Sequence, residues 1–229
     1  MLNLKLARSR TDNLGGEAVV SHYTGSMGGW QLFIKRFIDI TISSFLLILL
    51  GLLFAFVAVL IKITSPGPVF FIQERVGLNK RRFRVYKFRT MVKHAEQEQA
   101  ELEDLNEVMG AAFKITNDPR VTTVGKFLRK FSIDELPQFI NVLKGDMSLV
   151  GPRPLPVRDY NCFDRDWHRR RFSVRPGITC LWQINGRHSI TFERWMELDL
   201  EYIDRWSLLL DLTIIIRTIP AVLKGFGTS

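Results

Sequence analysis

Between Ile38 and Ile63 the chain is apolar almost without interruption, its polar breaks being Asp39, Thr41, Ser43, Ser44 and Lys62. A helix over this stretch is apolar on every side and supplies the roughly 20 residues needed to match the hydrocarbon core of a bilayer. A core helix of a soluble domain, in a chain of 229 residues, normally keeps a polar stripe, so the stretch predicts a membrane-inserted helix over 31–64. It is no signal peptide, because it starts too late, runs too long and lacks a small-residue cleavage site behind it. Lys35 and Arg36 precede it, and Lys62, Arg75, Lys80, Arg81, Arg82 and Arg84 follow. Basic residues at both ends leave two topologies open: a span with one basic flank outside, or a re-entrant hairpin that enters and leaves through the cytoplasmic leaflet. The hairpin needs a break near its middle, where Gly51 is the one candidate and a weak one.

The rest of the chain bounds the partners. A formal charge of +9 attracts polyanions, whether nucleic acid, nucleotide phosphates or anionic lipid headgroups. Cys162 and Cys180 are too few and too far apart for a disulfide framework, and His22, His94, His168 and His188 show no metal-ligand spacing. Residues 1–30 are rich in Gly, Ser, Thr and charge without apolar periodicity, which predicts a disordered tail.

Beyond the stiff turn Ser65-Pro66-Gly67-Pro68, two short strands are expected, at Val69-Phe70-Phe71-Ile72 and over Arg82 to Arg89. The second alternates basic with apolar residues, so its basic side chains face either solvent or a phosphate. The acidic run from Glu96 to Val108 predicts an exposed helix. Asp204 to Lys224 predicts an amphipathic helix, lying either at a membrane surface or against the core.

The chemistry concentrates at Ser132-Ile133-Asp134-Glu135-Leu136-Pro137. Ser132 and Glu135 have capping-box spacing and Pro137 is tolerated only near a helix start, so a helix is expected to open here and run to about Leu143. Asp134 and Glu135 then occupy a first turn, where free N–H groups favour ionised acids and bound phosphate alike. Two acids at a helix start are commonly no more than complements to the dipole. Here, however, Val150-Gly151-Pro152-Arg153-Pro154 follows, a constrained loop presenting a planar donor fork. Arg175-Pro176-Gly177 and Asn185-Gly186-Arg187 add arginines at tight turns. Acid pair, fork and basic turns together suggest phosphoryl chemistry with a divalent cation. No phosphate-loop or dinucleotide glycine pattern is present.

At Asp134-Glu135-Leu136-Pro137-Gln138 and at Asn141-Val142-Leu143-Lys144-Gly145-Asp146-Met147-Ser148-Leu149-Val150-Gly151-Pro152-Arg153-Pro154, the chain closely resembles the bacterial sugar transferases, the monotopic polyprenyl-phosphate phosphoglycosyl transferases. The resemblance extends through Gln73-Glu74-Arg75-Val76-Gly77, Lys87-Phe88-Arg89-Thr90-Met91, Asp118-Pro119-Arg120, Leu181-Trp182-Gln183 and Leu198-Asp199 with Tyr202, and covers residues 31–229. It implies transfer of a sugar-1-phosphate from a UDP-sugar, galactose or glucose by analogy, to undecaprenyl phosphate in exopolysaccharide or O-antigen assembly. UMP would be released through a phosphosugar ester on Asp134. It further implies Glu135 as partner of a Mg²⁺ cofactor, Arg153 as a phosphate-binding group and Asp199 as a further acid of the site. Lys87, Arg89, Arg175 and Arg187 are weaker candidates for phosphate or nucleotide contact.

The fold class so implied is α+β. Behind the 1–30 tail and the 31–64 helix comes a small, mostly helical catalytic domain, 65–229, with short strands and interfacial amphipathic helices. It sits on the cytoplasmic face of the bacterial inner membrane, with the bilayer and no nucleic acid as partner and an oligomer possible. Two departures stand out. Relatives commonly break the membrane helix with a Ser-Pro pair where this chain has Gly51-Leu52, and many carry glycine at the position of Cys180. Rival readings are a membrane-surface regulatory protein, a soluble nucleic-acid binder and a metal-dependent phosphatase, and lipid-dependent UMP release separates them all.

Overall fold

The computed structural model describes residues 11–13, 18–20, 28–98, 100–106, 115, 117–161, 163, 166–185 and 191–223. Within the expected structureless tail, β1 (Thr11–Asn13) and β2 (Ala18–Val20) pair antiparallel, a short hairpin the composition does not reveal.

The long apolar stretch is two helices, α1 (Gly29–Leu49) and α2 (Gly51–Thr64), bent by 60° at Leu50. Among the described residues no single helix is long and apolar enough to cross a membrane, whereas the bent pair taken together is. The break falls one residue before Gly51, which has open space around it, so glycine eases the bend without being sterically required.

The polar stripe that looked missing is present in α1. Asp39 and Ser43 are fully buried, and Asp39 accepts from the Ser148 hydroxyl at 3.1 Å and the Leu149 N–H at 3.0 Å. One turn earlier, Lys35 reaches Asp211 at 2.5 Å, and Arg36 donates to the carbonyls of Val142 and Leu143. These polar positions share a helical face, so α1 is fastened to the rest of the protein along one side. Its other side exposes Trp30, Phe33, Phe37, Phe45, Ile48 and Leu49. On α2, Val57 and Ile61 are sealed against Phe88 and Leu128, each worth roughly 1.5–3 kcal/mol of burial, while Leu52, Phe56, Val59 and Ile63 stay exposed. Exposed apolar surface on this scale marks an interaction face.

Both expected strands form, and they pair antiparallel: β3 (Phe70–Val76) with β4 (Arg82–Phe88), Phe71 opposite Lys87 and Arg75 opposite Phe83. The acidic run beyond them forms a 3₁₀ turn, Ala100–Leu105, rather than an α-helix, and its end lies outside the described residues. After α3 (Thr123–Lys130), Ser132 adopts a left-handed conformation with φ 55° and no cap bond, so the predicted capping box is not made. A 3₁₀ turn, Ile133–Glu135, precedes a shorter helix, α4 (Gln138–Lys144), which Gly145 ends at φ 86°.

Next, β5 (Ser148–Val150) runs parallel to β7 (Gly177–Thr179), and β6 (Leu155–Pro156) joins β3 as the sheet's third strand. Between β6 and β7 lie the short helices α5 (Val157–Asn161) and α6 (Asp166–Arg169). Gly151 and Gly177 face each other so closely that a Cβ on Gly177 would lie 2.1 Å from the Gly151 nitrogen, which only glycine tolerates.

Helices α7 (Leu181–Ile184), α8 (Phe192–Asp204) and α9 (Leu208–Leu223) are the last described elements. The expected C-terminal amphipathic helix begins later than predicted, at Leu208. It turns Ile214 into the core and leaves Leu209, Leu212, Ile216 and Ile219 exposed, so it packs against the core on one face and keeps an apolar face open on the other.

Candidate active site

Asp134 and Glu135 lie in the 3₁₀ turn ahead of α4, each 7% exposed. The turn is held over β4 by Asn141, whose side chain accepts from the Tyr86 N–H at 3.1 Å and donates to the Arg84 carbonyl at 2.6 Å. This satisfies the outer edge of the sheet with a side chain and docks α4 on it. The same pairing sets Lys87 beneath Glu135.

Two cations converge on Glu135. Lys87 Nζ is 2.8 Å from Oε1, and the Arg153 fork spans both oxygens, at 2.6 Å to Oε1 and 3.3 Å to Oε2. Asp134, its neighbour, has no hydrogen-bond or ion-pair partner among the described residues. Burial pushes the Asp134 carboxyl up to about 6; the adjacent Glu135 adds to the rise, and Lys87, Arg129 and Arg153 oppose it. Burial lowers the Lys87 pKa, and Glu135 partly offsets that. For Arg153 the balance reverses: burial acts downward, but the charge and hydrogen bonds of Glu135 hold it firmly protonated. The guanidinium of Arg153 also lies 5.8 Å from the centre of the Trp182 ring, which itself stacks on Trp195 at 5.0 Å. The result is a cation-lined recess with one carboxylate neutralised and one left free.

Of the remaining sequence candidates, those among the described residues fall elsewhere. Arg89 is buried and donates to the carbonyls of Ser65 and Pro66, holding the turn where α2 ends. Arg175 is exposed and donates to the Gly145 carbonyl at the end of α4. Arg187 lies outside the described residues. Asp199 is sealed at 1% exposure against Arg171, 2.6 Å away. Burial pushes its carboxyl up to about 6 despite the Arg171 charge. Cys180 sits in extended backbone at φ −157°, a conformation open to any residue, so its side chain brings no backbone strain.

Sequence reasoning missed Arg75, Asn141 and Arg171. Arg75 extends over the same sheet face as Lys87 and donates to the Pro154 carbonyl at 3.0 Å. Its pKa is lowered to about 10, by burial first and then by Arg153 nearby. Only the strand register, two residues per repeat, signalled in advance that it would join Lys87.

A hard cation such as Mg²⁺ takes oxygen ligands, usually one or two carboxylates completed by substrate phosphates and water. Among the described residues no group of three or more His, Cys, Asp or Glu side chains could hold a metal. The adjacent pair fits the smaller protein share of a phosphate-bridged site. Asp134 has unbonded oxygens, whereas Glu135 can serve only by exchanging Lys87 or Arg153 for the ion.

A family model of bacterial sugar transferases matches residues 30–225, and the chain belongs to that family. Among its relatives, the galactosyl transferase CpsE of Streptococcus agalactiae is 44% identical over 99% of this chain. The exopolysaccharide production protein ExoY of Rhizobium meliloti is 37% identical over 96% of it. The UDP-glucose:undecaprenyl-phosphate glucose-1-phosphate transferase of Escherichia coli is 38% identical over 99%. The chain spans about half of CpsE and of the E. coli enzyme, at 52% and 47% of their lengths, and 99% of ExoY.

Proposed function

We propose that the chain transfers a sugar-1-phosphate from a UDP-sugar to undecaprenyl phosphate, releasing UMP, as the first membrane step of a surface polysaccharide. The observation that carries this reading is the buried Asp134, unpaired among the described residues, beside a Glu135 already neutralised by Lys87 and Arg153. A carboxylate without hydrogen-bond donors keeps its lone pairs for attack, and the surrounding cations favour a diphosphate. The names of the relatives, the E. coli enzyme among them, support donor and acceptor.

In the first step an Asp134 oxygen attacks the β-phosphorus of the UDP-sugar. The bond from that phosphorus to the bridging oxygen breaks, and UMP leaves with the electron pair. In the second step an oxygen of the lipid phosphate attacks the same phosphorus and the acyl phosphate bond to Asp134 breaks, which returns the carboxylate. Arg153 orients the phosphate oxygens through its planar fork, and Lys87 balances charge beneath them. Glu135 and Asp134 would hold Mg²⁺ with the substrate phosphates, which screens the repulsion between an anionic nucleophile and an anionic diphosphate.

In this reading the exposed apolar faces of α1 and α2 enter the cytoplasmic leaflet as a hairpin bent at Leu50, and the outer face of α9 rests on it. Cysteine-accessibility labelling at Trp30 and Lys80 should place both on the cytoplasmic side, and periplasmic labelling of either one would mean a span. A screen of UDP-glucose, UDP-galactose and UDP-N-acetylgalactosamine in nanodiscs should give UMP that depends on undecaprenyl phosphate. No release with any donor sinks the proposal.

A further inference from the structure

The loop that presents Arg153 is gripped along its backbone. The Val150 carbonyl accepts from Lys35 at 3.0 Å and from the Tyr202 hydroxyl at 3.1 Å. Gly151 donates to the Thr179 carbonyl, and Gly177 donates to that of Pro152. The next two carbonyls are each held by an arginine: Arg171 donates to Arg153 at 2.7 Å, and Arg75 donates to Pro154 at 3.0 Å.

Arg171 is the unusual member. It is 2% exposed, as buried as its partner Asp199, and its guanidinium lies 5.4 Å from the centre of the Trp195 ring. A sealed ion pair is commonly no more stable than apolar side chains of equal volume, so stability alone is a poor reason for one here. An apolar pair, however, offers no donor to the Arg153 carbonyl. The contact is made at the residue whose side chain spans both oxygens of Glu135, so a shift of this carbonyl moves the fork.

The geometry points to Arg171, seated by Asp199 and assisted by Arg75, as a positioning residue that sets the Arg153 fork over Glu135. This rests on the transfer reaction proposed above and assigns Asp199 an effect on it without contact. Pre-organised donors lose their advantage when displaced by even an ångström.

The experiment is a double-mutant cycle on the full chain in nanodiscs, with UMP release from the most active UDP-sugar and UDP affinity by calorimetry as readouts. Arg171→Lys keeps a charge for Asp199 but is one atom shorter, so its ammonium falls short of the place where Nη2 of Arg171 meets both the Asp199 carboxylate and the Arg153 carbonyl. It should lower kcat/KM about tenfold and weaken UDP binding, while an Arg153→Ala background should suppress the same change to under about twofold. Arg75→Lys, at a half-buried position, should show a smaller loss with the same coupling, and it serves if Arg171→Lys fails to fold. Equal losses with and without Arg153, or wild-type kinetics in Arg171→Lys and Arg75→Lys, overturn the positioning role while leaving the reaction intact. Absence of UMP release by the wild-type chain overturns the reaction and the positioning role together.

Discussion

The anchor around Asp211 and the recess around Asp134 each bury an aspartate among cations, and the two are built in opposite ways. Asp211 receives Lys35 at 2.5 Å, the Tyr202 hydroxyl at 2.8 Å and the Trp206 indole N–H at 3.2 Å. Burial, and then the Asp211 charge, push the Tyr202 pKa well up, so its hydroxyl remains a donor. Among the described residues Asp134 receives no such donor, although Lys87, Arg129 and Arg153 are near enough to act on it by charge. A saturated carboxylate joins α1, α8 and α9; an unsaturated one keeps its reactivity. Burial alone therefore does not distinguish structure from chemistry, whereas hydrogen-bond saturation does.

The comparison breaks first at Asp134→Asn, the largest effect expected. This variant should abolish UMP release and the phosphosugar adduct that wild type accumulates without lipid acceptor, read by intact-protein mass spectrometry. It should also be more stable. Because the folded pKa is raised to about 6, the folded state binds this proton more tightly than the unfolded state. The ionised group thus costs stability above about pH 6, and the cost fades as pH falls toward the ordinary carboxylate value. At pH 7.5 the gain for asparagine is roughly 3 kcal/mol. An adduct on Asp134→Asn would overturn its assignment as nucleophile.

Lys35→Met should do the reverse, leaving Asp211 buried without its cation. A loss of about 3 kcal/mol is expected, lowering the melting temperature by roughly 10 °C, while turnover per folded molecule falls less than in Arg153→Lys, because the Val150 carbonyl keeps its bond from Tyr202. An unchanged melting temperature would show that the anchor carries little weight.

Glu135→Gln sharpens the recess itself. It should cut the rate about a hundredfold, roughly 2.7 kcal/mol, and raise the Mg²⁺ concentration required, with a slow adduct still forming on Asp134. Loss of the adduct here and its retention in Asp134→Asn would exchange the two roles. Arg153→Lys, which replaces a fork by a point charge, should cost about tenfold, roughly 1.4 kcal/mol, with little change in stability. The smallest effect is that of pH: single-turnover adduct formation should fall below about pH 6, approaching tenfold per unit as Asp134 protonates. A flat profile between pH 5 and 7 would separate Asp134 from the attack.

Short-range pattern made much of this legible. A short apolar run exposed β3, alternation exposed β4, uniform apolarity marked the 38–63 stretch, and the ordered motifs from Asp134 to Pro154 identified the family and the Asp134, Glu135 and Arg153 constellation. Lys87 lies on the opposite face of β4 from Arg82 and Arg84, so alternation did not single it out; the Lys87-Phe88-Arg89 motif of the family resemblance did.

What the sequence by itself determined, then, is which residues have the chemistry and which segments are apolar. Only the tertiary structure decided their employment. Lys35 and Arg36 read as topology signals, yet they hold Asp211 and the end of α4, with Lys35 lying 176 residues from its partner in the chain. Asp199 read as a site acid, yet it faces Arg171 in the interior. Ser132 read as a cap, yet it turns left-handed to present the acid pair. Local propensity acts over a few residues, whereas a charged side chain's partner, and with it its saturation, is fixed by strands and helices meeting from distant parts of the chain.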